Sequence, residues 1–146
     1  MKKIRILSKS QQETKDFGEK FASSIKAGDI ICLFGDLGSG KTTLVKGLAK
    51  GLHISPKKVH SPTFTLMNVY EGRKSFPIFH FDLYRIEDTN EIFSLDYEEY
   101  LFGDGVAIIE WAEKLENLMP KNYYSFELKH KSENERSITV TKKEKR

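Results

Sequence analysis

The residues best suited to chemistry lie in one glycine-rich segment. Residues 35–42, Gly-Asp-Leu-Gly-Ser-Gly-Lys-Thr, match the pattern G-x-x-x-x-G-K-[ST] in full. Glycines let the backbone wrap closely around phosphate oxygens with its amide N–H groups pointing inward. In such a loop Lys41 would bridge the β- and γ-phosphates, and the hydroxyl of Thr42 would bind Mg²⁺. The segment therefore predicts binding of a nucleoside triphosphate.

Two carboxylates follow apolar runs and could complete a Mg²⁺ site. Glu110 follows Val-Ala-Ile-Ile, and Asp82 follows Ile-Phe-His-Phe. Ligands gather at the carboxyl ends of parallel strands, and Mg²⁺ prefers oxygen ligands, so we expect both carboxylates near Thr42. Two alternatives stay open. Glu110 could be an acid at a helix N-terminus, and Asp82 could form an ion pair with Arg85.

Other side chains have a functional and a structural interpretation. The hydroxyls of Thr63 and Thr65 could form a switch that responds to the γ-phosphate, or belong to an ordinary turn. Arg85 could stabilise transition-state charge or pair at the surface. Trp111 could lie in the core or on a docking surface, and we expect His80 to be a core histidine.

Hydrophobic periodicity and turn residues predict the elements that must position these side chains. We expect helices over residues 11–26 (with Ser10 as N-cap), about 41–52, 88–102 and 111–118, and strands over residues 4–7, 30–34, 64–70, 77–83, 106–109, 123–129 and 136–140. The wholly apolar runs 30–34 and 106–109 are typical of strands buried on both faces. Together with the glycine-rich motif, this pattern predicts one phosphate-loop domain over residues 1–146. Its α/β fold is the three-layer fold of phosphate-loop NTPases, with a mostly parallel central sheet and antiparallel hairpin additions.

Charge is distributed unevenly along the chain. The formal net charge is +3, but residues 129–146 hold seven basic and three acidic side chains. A basic tail over about residues 141–146 could be a solvated end or contact nucleic acid. Residues 87–104 hold seven acidic side chains and no Lys or Arg, interleaved with aromatic residues. That segment suits a protein partner better than nucleic acid.

Composition excludes several classes of protein. No apolar run approaches the roughly 20 residues of a membrane-spanning helix. Cys32 is the single cysteine, which rules out an intrachain disulfide and a multi-cysteine zinc site. We therefore expect a cytoplasmic protein that does not contact a membrane. The D-x-x-G motif of GTPases is absent, which argues against specificity for GTP. The acidic segment lacks the arginines of a kinase lid, which argues against a small-molecule kinase.

Four motifs together resemble a known family, the bacterial TsaE ATPases, formerly called YjeE. They are Gly-Asp-Leu-Gly-Ser-Gly-Lys-Thr-Thr (35–43), Ser-Pro-Thr-Phe (61–64), His-Phe-Asp-Leu-Tyr-Arg (80–85) and Ile-Glu-Trp (109–111). The resemblance covers roughly residues 5–140. It implies an ATPase that uses Mg²⁺ and supports formation of threonylcarbamoyladenosine at adenosine 37 of tRNAs reading codons that begin with A. It further implies that the protein binds and resets the TsaD–TsaB pair, does not transfer the group itself, and meets tRNA only through that complex.

The resemblance also assigns site residues. It implies catalytic roles for Lys41, Asp82 and Glu110, Mg²⁺ binding by Thr42 and Glu110, and ATP binding by Gly38, Ser39, Gly40, Lys41, Thr42, Thr43, Thr14 and Ser132. Thr63, Thr65, Arg85 and Trp111 are the candidates for switching or partner coupling. Two other functions remain open at this point, a small-molecule kinase and a non-catalytic ATP-sensing module.

Overall fold

The computed structural model describes residues 3–36, 38–62, 66–72, 76–93, 96–101 and 103–144. The strands are β1 (Lys3–Ser8), β2 (Ile30–Phe34), β3 (Met67–Tyr70), β4 (Ile78–Asp82), β5 (Val106–Glu110), β6 (Tyr123–His130) and β7 (Arg136–Lys143). The helices are α1 (Gln11–Phe21), α2 (Lys41–Gly51), α3 (Asn90–Phe93) and α4 (Tyr97–Leu101). Short 3₁₀ segments span Ala22–Ser24, Pro56–Lys58 and Ala112–Leu118. None of the described helices is long and apolar enough to cross a membrane.

The seven described strands form a single mixed sheet in the order β1-β7-β6-β2-β5-β4-β3. Strands β6, β2, β5 and β4 are mutually parallel, whereas β7, β1 and β3 pair antiparallel. The α/β class is confirmed, but "mostly parallel" describes only the four central strands. Hairpins extend both edges of the sheet, so half of the pairings among the described strands are antiparallel.

The sheet is covered on both faces, which explains the wholly apolar runs in β2 and β5. In β2, Ile31 and Leu33 pack with residues of α1 and α2, while Ile30 and Cys32 pack with residues of α3, α4 and the 3₁₀ segment after β5. Because side chains alternate along a strand, a strand between two helical layers needs apolar residues at every position.

Two of the helices differ from those predicted by hydrophobic periodicity, one at its end and one in its middle. Ser10 caps α1 as predicted, with its hydroxyl accepting from the Glu13 amide at 3.1 Å. The helix ends at Phe21 instead of continuing to residue 26, and a 3₁₀ turn follows. The predicted helix 88–102 is two short helices, with Asp96 in the left-handed region (φ 52°) just before α4.

Residues predicted to begin a basic tail belong to the sheet. Thr141 pairs with Lys3 of β1, and Lys143 pairs with Tyr123 of β6. Within β7, Ile138 and Val140 lie in the core, whereas Lys142 is exposed and Lys143 is half-buried at the end of the strand.

Candidate active site

The register of three parallel strands brings the two predicted carboxylates together. Glu110 at the end of β5 lies opposite Leu33 of β2 on one side and opposite Asp82 of β4 on the other. Both carboxylates are buried, with 3% and 5% of their residue surfaces exposed. Strand β2 ends at Phe34, directly before the glycine-rich loop, so both carboxylates lie beside that loop.

A cleft of about 430 Å³ opens at this edge of the sheet. Most described residues predicted for the site line it: Thr14, Gly38, Ser39, Gly40, Lys41, Thr42, Thr43, Asp82, Glu110 and Trp111. Ser132 and Arg85 are exposed and are not among the described residues that line it. Thr63 and Thr65 lie outside the described residues, so their predicted switch role stays a prediction.

Two glycines give the loop its path. Gly35 has φ 153°, and a Cβ added there would lie 2.6 Å from the carbonyl oxygen of Leu128. Gly38 has φ 78°, with no atom within 4 Å of an added Cβ. Both backbone conformations favour glycine, and at Gly35 the close approach of β6 also leaves no room for a side chain. Leu37 lies outside the described residues.

The hydroxyl of Ser39 is buried without a hydrogen-bond partner among the described residues. Leaving a buried hydroxyl unsatisfied costs about 1–3 kcal/mol. Ser39 lines the cleft, so a ligand with acceptor oxygens could satisfy its hydroxyl. The unpaired hydroxyl is therefore an observation that fits a phosphate site.

Lys41 points its ammonium group into the loop. Its Nζ donates to the carbonyl oxygens of Gly35 and Asp36, the second at 3.1 Å, and lies 4.1 Å from the ring centroid of Trp111. Burial lowers the pKa of Lys41, and nearby carboxylates, led by Glu110, oppose that shift. The buried cation thus lies where a phosphate could replace weaker carbonyl partners.

Asp82 is held by the loop that precedes β3 and by its own turn. Its Oδ2 accepts from the hydroxyl of Ser61 at 3.1 Å, and its Oδ1 accepts from the amide of Tyr84 at 2.9 Å. These partners differ from the ion pair with Arg85 that the sequence left open. Each carboxylate oxygen still has a lone pair that a water molecule could use.

Glu110 is hydrogen-bonded to His80. Glu110 Oε2 lies 2.6 Å from His80 Nε2, and His80 is fully buried, as expected for a core histidine. Glu110 does not begin the following helical turn, because Trp111 adopts a left-handed conformation (φ 58°) and the 3₁₀ segment starts at Ala112. The geometry therefore favours a cleft-facing role over that of an acid at a helix N-terminus.

Trp111 is half-buried at the cleft. Its ring lies 4.9 Å, centroid to centroid, from the ring of Tyr84, and both residues line the cleft. The left-handed backbone of Trp111 is uncommon for a bulky residue and is often found at functional sites. Trp111 therefore belongs to the site wall rather than to the centre of the core.

The turn between β6 and β7 also reaches the cleft, through residues that the sequence did not single out. The guanidinium of Arg136 donates to the carbonyl of Gly38 at 3.1 Å and to the carbonyls of Ser132 and Glu133 at 3.1 and 3.2 Å. Glu133, Asn134 and Arg136 line the cleft instead of Ser132. In the sequence, Arg136 stands out only as one of the basic residues of the C-terminal stretch 129–146.

The acidic segment is organised differently from its prediction. Tyr97 is buried, and Tyr100 packs on Phe79 with ring centroids 5.0 Å apart. Glu98 and Glu99 are exposed, while Phe102 lies outside the described residues. Both of these tyrosines therefore pack towards the core, and the surface of α4 is acidic rather than a mixture of acidic and aromatic groups.

The donor set fits Mg²⁺ held together with phosphates. Thr42, Glu110 and Asp82 offer hard oxygen ligands around one cleft. Within the described ranges, no group of three or more His, Cys, Asp or Glu side chains could hold a metal ion. Mg²⁺ needs only one or two protein carboxylates when substrate phosphates and water fill its other positions.

Comparison with known proteins gives one consistent result. The family model for "Threonylcarbamoyl adenosine biosynthesis protein TsaE" matches residues 8–138. The tRNA threonylcarbamoyladenosine biosynthesis protein TsaE of Bacillus subtilis is 40% identical, over 97% of this chain and 87% of its own. The protein of the same name from Treponema pallidum is 36% identical, over 94% and 99%. A crystal structure of Bacillus subtilis YdiB superposes with a TM-score of 0.79 at 33% identity, covering 97% of this chain and 86% of that one. These matches confirm the resemblance read from the four motifs, and the chain belongs to the TsaE family.

Proposed function

We propose that this protein binds ATP with Mg²⁺ and hydrolyses it as an accessory protein in forming threonylcarbamoyladenosine on tRNA. The observation that carries the proposal is the alignment of Leu33, Glu110 and Asp82 across three parallel strands beside the glycine-rich loop. This alignment puts two buried carboxylates next to a loop whose sequence is that of a triphosphate site.

The fold we propose for the whole chain is a single phosphate-loop NTPase domain. In support, strand β2 leads through the loop directly into α2, which begins at Lys41. The N-terminus of α2 presents unpaired backbone N–H groups and the positive end of the helix dipole to the cleft. The buried hydroxyl of Ser39 adds a polar group that a phosphate oxygen would satisfy.

In the proposed site the loop residues bind and orient the triphosphate. Lys41 would exchange its contacts with the carbonyls of Gly35 and Asp36 for phosphate oxygens, which are stronger, charged acceptors. Thr42 and Glu110 would hold Mg²⁺, which when bound neutralises part of the phosphate charge. Trp111 and Tyr84 would form the wall that limits access of water from one side.

Hydrolysis requires a water molecule that attacks the γ-phosphorus while the bond to the departing ADP oxygen breaks. Asp82 is the residue we assign to orient that water. Its two oxygens are fixed by Ser61 and by the amide of Tyr84, so the carboxylate cannot rotate freely. A fixed acceptor at a buried position loses little entropy when the reaction begins.

The tRNA-modification role is proposed from family membership together with the site. The relatives carry the name tRNA threonylcarbamoyladenosine biosynthesis protein TsaE. We propose that the TsaD–TsaB pair is the partner, that the chain does not itself transfer the threonylcarbamoyl group, and that tRNA is met only through the complex. A cytoplasmic location follows from that role. The exposed Glu98 and Glu99 of α4 are the surface that we propose contacts the partner.

The test is steady-state ATP hydrolysis by the purified chain, alone and with the TsaD–TsaB pair. We expect slow hydrolysis by the chain alone and clear stimulation by the pair. The matched control is Thr42→Val, which keeps the side-chain volume and removes the hydroxyl.

Three outcomes would count against the proposal in different ways. Bound ATP without turnover, with or without the pair, would favour a non-catalytic sensing module. Rapid phosphorylation of a metabolite without any partner would favour a small-molecule kinase. Turnover that the pair does not change would remove the proposed partner while leaving the ATPase.

A further inference from the structure

A chain of buried hydrogen bonds leads from Glu110 away from the cleft. His80 Nε2 lies 2.6 Å from Glu110 Oε2, and His80 Nδ1 lies 2.8 Å from the hydroxyl of Tyr70. That hydroxyl is in turn 2.9 Å from the carbonyl oxygen of His60 and 3.3 Å from its amide nitrogen. At most 3% of the surface of Glu110, His80 or Tyr70 is exposed. The carboxylate is thus connected, through two side chains, to the backbone beside Ser61.

The sheet register explains why these groups meet. His80 precedes Asp82 by two residues on β4, so both side chains leave the same face of the sheet. Asn68 of β3 lies opposite His80, and Tyr70 lies two residues further along the same face. Asn68 Nδ2 is also 3.2 Å from the carbonyl oxygen of His60, so β3 holds that backbone segment with two side chains.

The contact with His80 constrains the orientation of the carboxylate. A 2.6 Å contact with an ionised Glu110 requires the hydrogen on Nε2, because an ionised carboxylate only accepts hydrogen bonds. A buried carboxylate needs such a partner to offset the loss of water. With Oε2 held by His80, Oε1 is the oxygen available to a ligand in the cleft.

We propose that His80 and Tyr70 are positioning residues that hold Glu110 in the orientation in which it binds Mg²⁺. This inference rests on the proposed function, because it assigns a role within the same MgATP site. Tyr70 fixes the imidazole ring through Nδ1, and His80 fixes the carboxylate through Nε2. Hydrogen-bond partners behind a metal ligand commonly contribute 10- to 100-fold to metal affinity.

A purely structural role predicts a different result. If the chain of hydrogen bonds only stabilised the core, its loss would lower the stability of the fold and leave the Mg²⁺ dependence of nucleotide binding unchanged. Mg²⁺ is expected to strengthen ATP binding. The useful readout is therefore the half-saturating Mg²⁺ concentration, at which half of that increase in affinity is reached. Equilibrium dialysis with a non-hydrolysable ATP analogue, first in EDTA and then across a Mg²⁺ titration, measures it without any turnover.

Two pairs of variants separate the contacts. In His80→Gln the amide nitrogen can take the place of Nε2 and donate to Glu110, whereas in His80→Asn it takes the place of Nδ1 and faces Tyr70. His80→Leu removes both contacts, and Tyr70→Phe removes only the hydroxyl. We expect His80→Leu and His80→Asn to raise the half-saturating Mg²⁺ concentration by about 10- to 100-fold, with ATP affinity in EDTA unchanged. His80→Gln should recover most of that loss, and Tyr70→Phe should shift it less and in the same direction.

The outcomes distinguish this inference from the proposed function. If Mg²⁺ does not strengthen ATP binding by the unmodified chain, the proposed MgATP site itself is wrong. If it does, and His80→Asn keeps the Mg²⁺ dependence of the unmodified chain, the positioning role is overturned. Thermal melts identify any variant that does not fold. If His80→Leu does not fold, Tyr70→Phe provides the test, because it removes only a single oxygen atom. An unchanged Mg²⁺ titration for Tyr70→Phe would then refute the proposal.

Discussion

Substitution of Gly35 by alanine should be among the most costly single-atom additions in the glycine-rich loop. The added Cβ would lie 2.6 Å from the Leu128 carbonyl oxygen and 2.7 Å from the hydroxyl oxygen of Ser39. The serine side chain can rotate, but the carbonyl belongs to β6 in the centre of the sheet. Gly38→Ala is the matched control, because its φ of 78° also disfavours alanine while nothing lies within 4 Å of the new Cβ.

Both substitutions strain the backbone, but only one of them adds a steric clash. Unfavourable backbone conformations cost about 1–3 kcal/mol at either position. Both variants lose the same freedom in the unfolded chain, so that contribution cancels. Forcing an extra methyl group into a packed site adds about 1–3 kcal/mol, and only Gly35→Ala incurs it. We therefore expect Gly35→Ala to lower the free energy of unfolding by about 1–3 kcal/mol more than Gly38→Ala does.

Urea denaturation of the two variants and the unmodified chain measures this difference. The slopes of the free energy against urea should agree, so that the shift in midpoint reports stability alone. For a chain of this size each kcal/mol corresponds to about 2–4 °C in the melting temperature, which gives a second reading. Equal destabilisation by the two substitutions would show that β6 does not press on the loop at Gly35.

Three further substitutions test the polar contacts of the cleft. Lys41→Met should abolish ATP binding in equilibrium dialysis. The ligand-free variant should be at least as stable in urea as the unmodified chain, because burial disfavours the charged form of Lys41, as its lowered pKa indicates. A clear loss of stability would contradict this. Asp82→Asn should keep ATP affinity and reduce hydrolysis by about 10²-fold or more in a phosphate-release assay, and near-normal turnover would exclude its catalytic role. Arg136→Lys should weaken ATP binding more than Lys142→Ala does, because a lysine cannot span the carbonyls of Gly38 and Ser132 at once. Equal affinities for the last two variants would show that the turn does not support the site.

Local sequence was sufficient to predict the parts of the site whose residues are adjacent in sequence or end parallel strands. The glycine-rich loop and Lys41 are neighbours in sequence, so a single pattern identifies them. The apolar runs of β2 and β5 predicted strands buried on both faces, and the carboxylates that follow the apolar runs of β4 and β5 were expected at the same edge of the sheet. Glu110 and Asp82 do lie opposite one another in the register. These predictions succeeded because parallel strands align their carboxyl ends whatever the loops between them do.

Sequence is less informative where a contact depends on how a turn is oriented. The turn after β6 was expected to reach the nucleotide through Ser132, and that role stays a prediction. In the structure Ser132 bonds to Glu135 within the turn, and it is Arg136 that reaches back to the loop. Arg136 and Gly38 are far apart in sequence, and no local pattern relates them. Similarly, the aromatic residues among the acidic side chains of residues 87–104 were expected on a partner surface, whereas the path of α4 turns Tyr97 into the core.

The hairpin of β3 and β4 shows why an edge strand without any predicted site residue still matters to the cleft. Met67 to Tyr70 pair with Phe81 to Ile78, which places Asn68 and Tyr70 on the same face as His80. A shift of one residue in that register would turn Val69 to this face and move both polar side chains to the other. His80 would then lose the partner at Nδ1, and the ring that holds Glu110 would be free to rotate. The register of an outer hairpin therefore sets the orientation of a carboxylate two strands away, and the Mg²⁺ titration of Tyr70→Phe measures how strongly it does so.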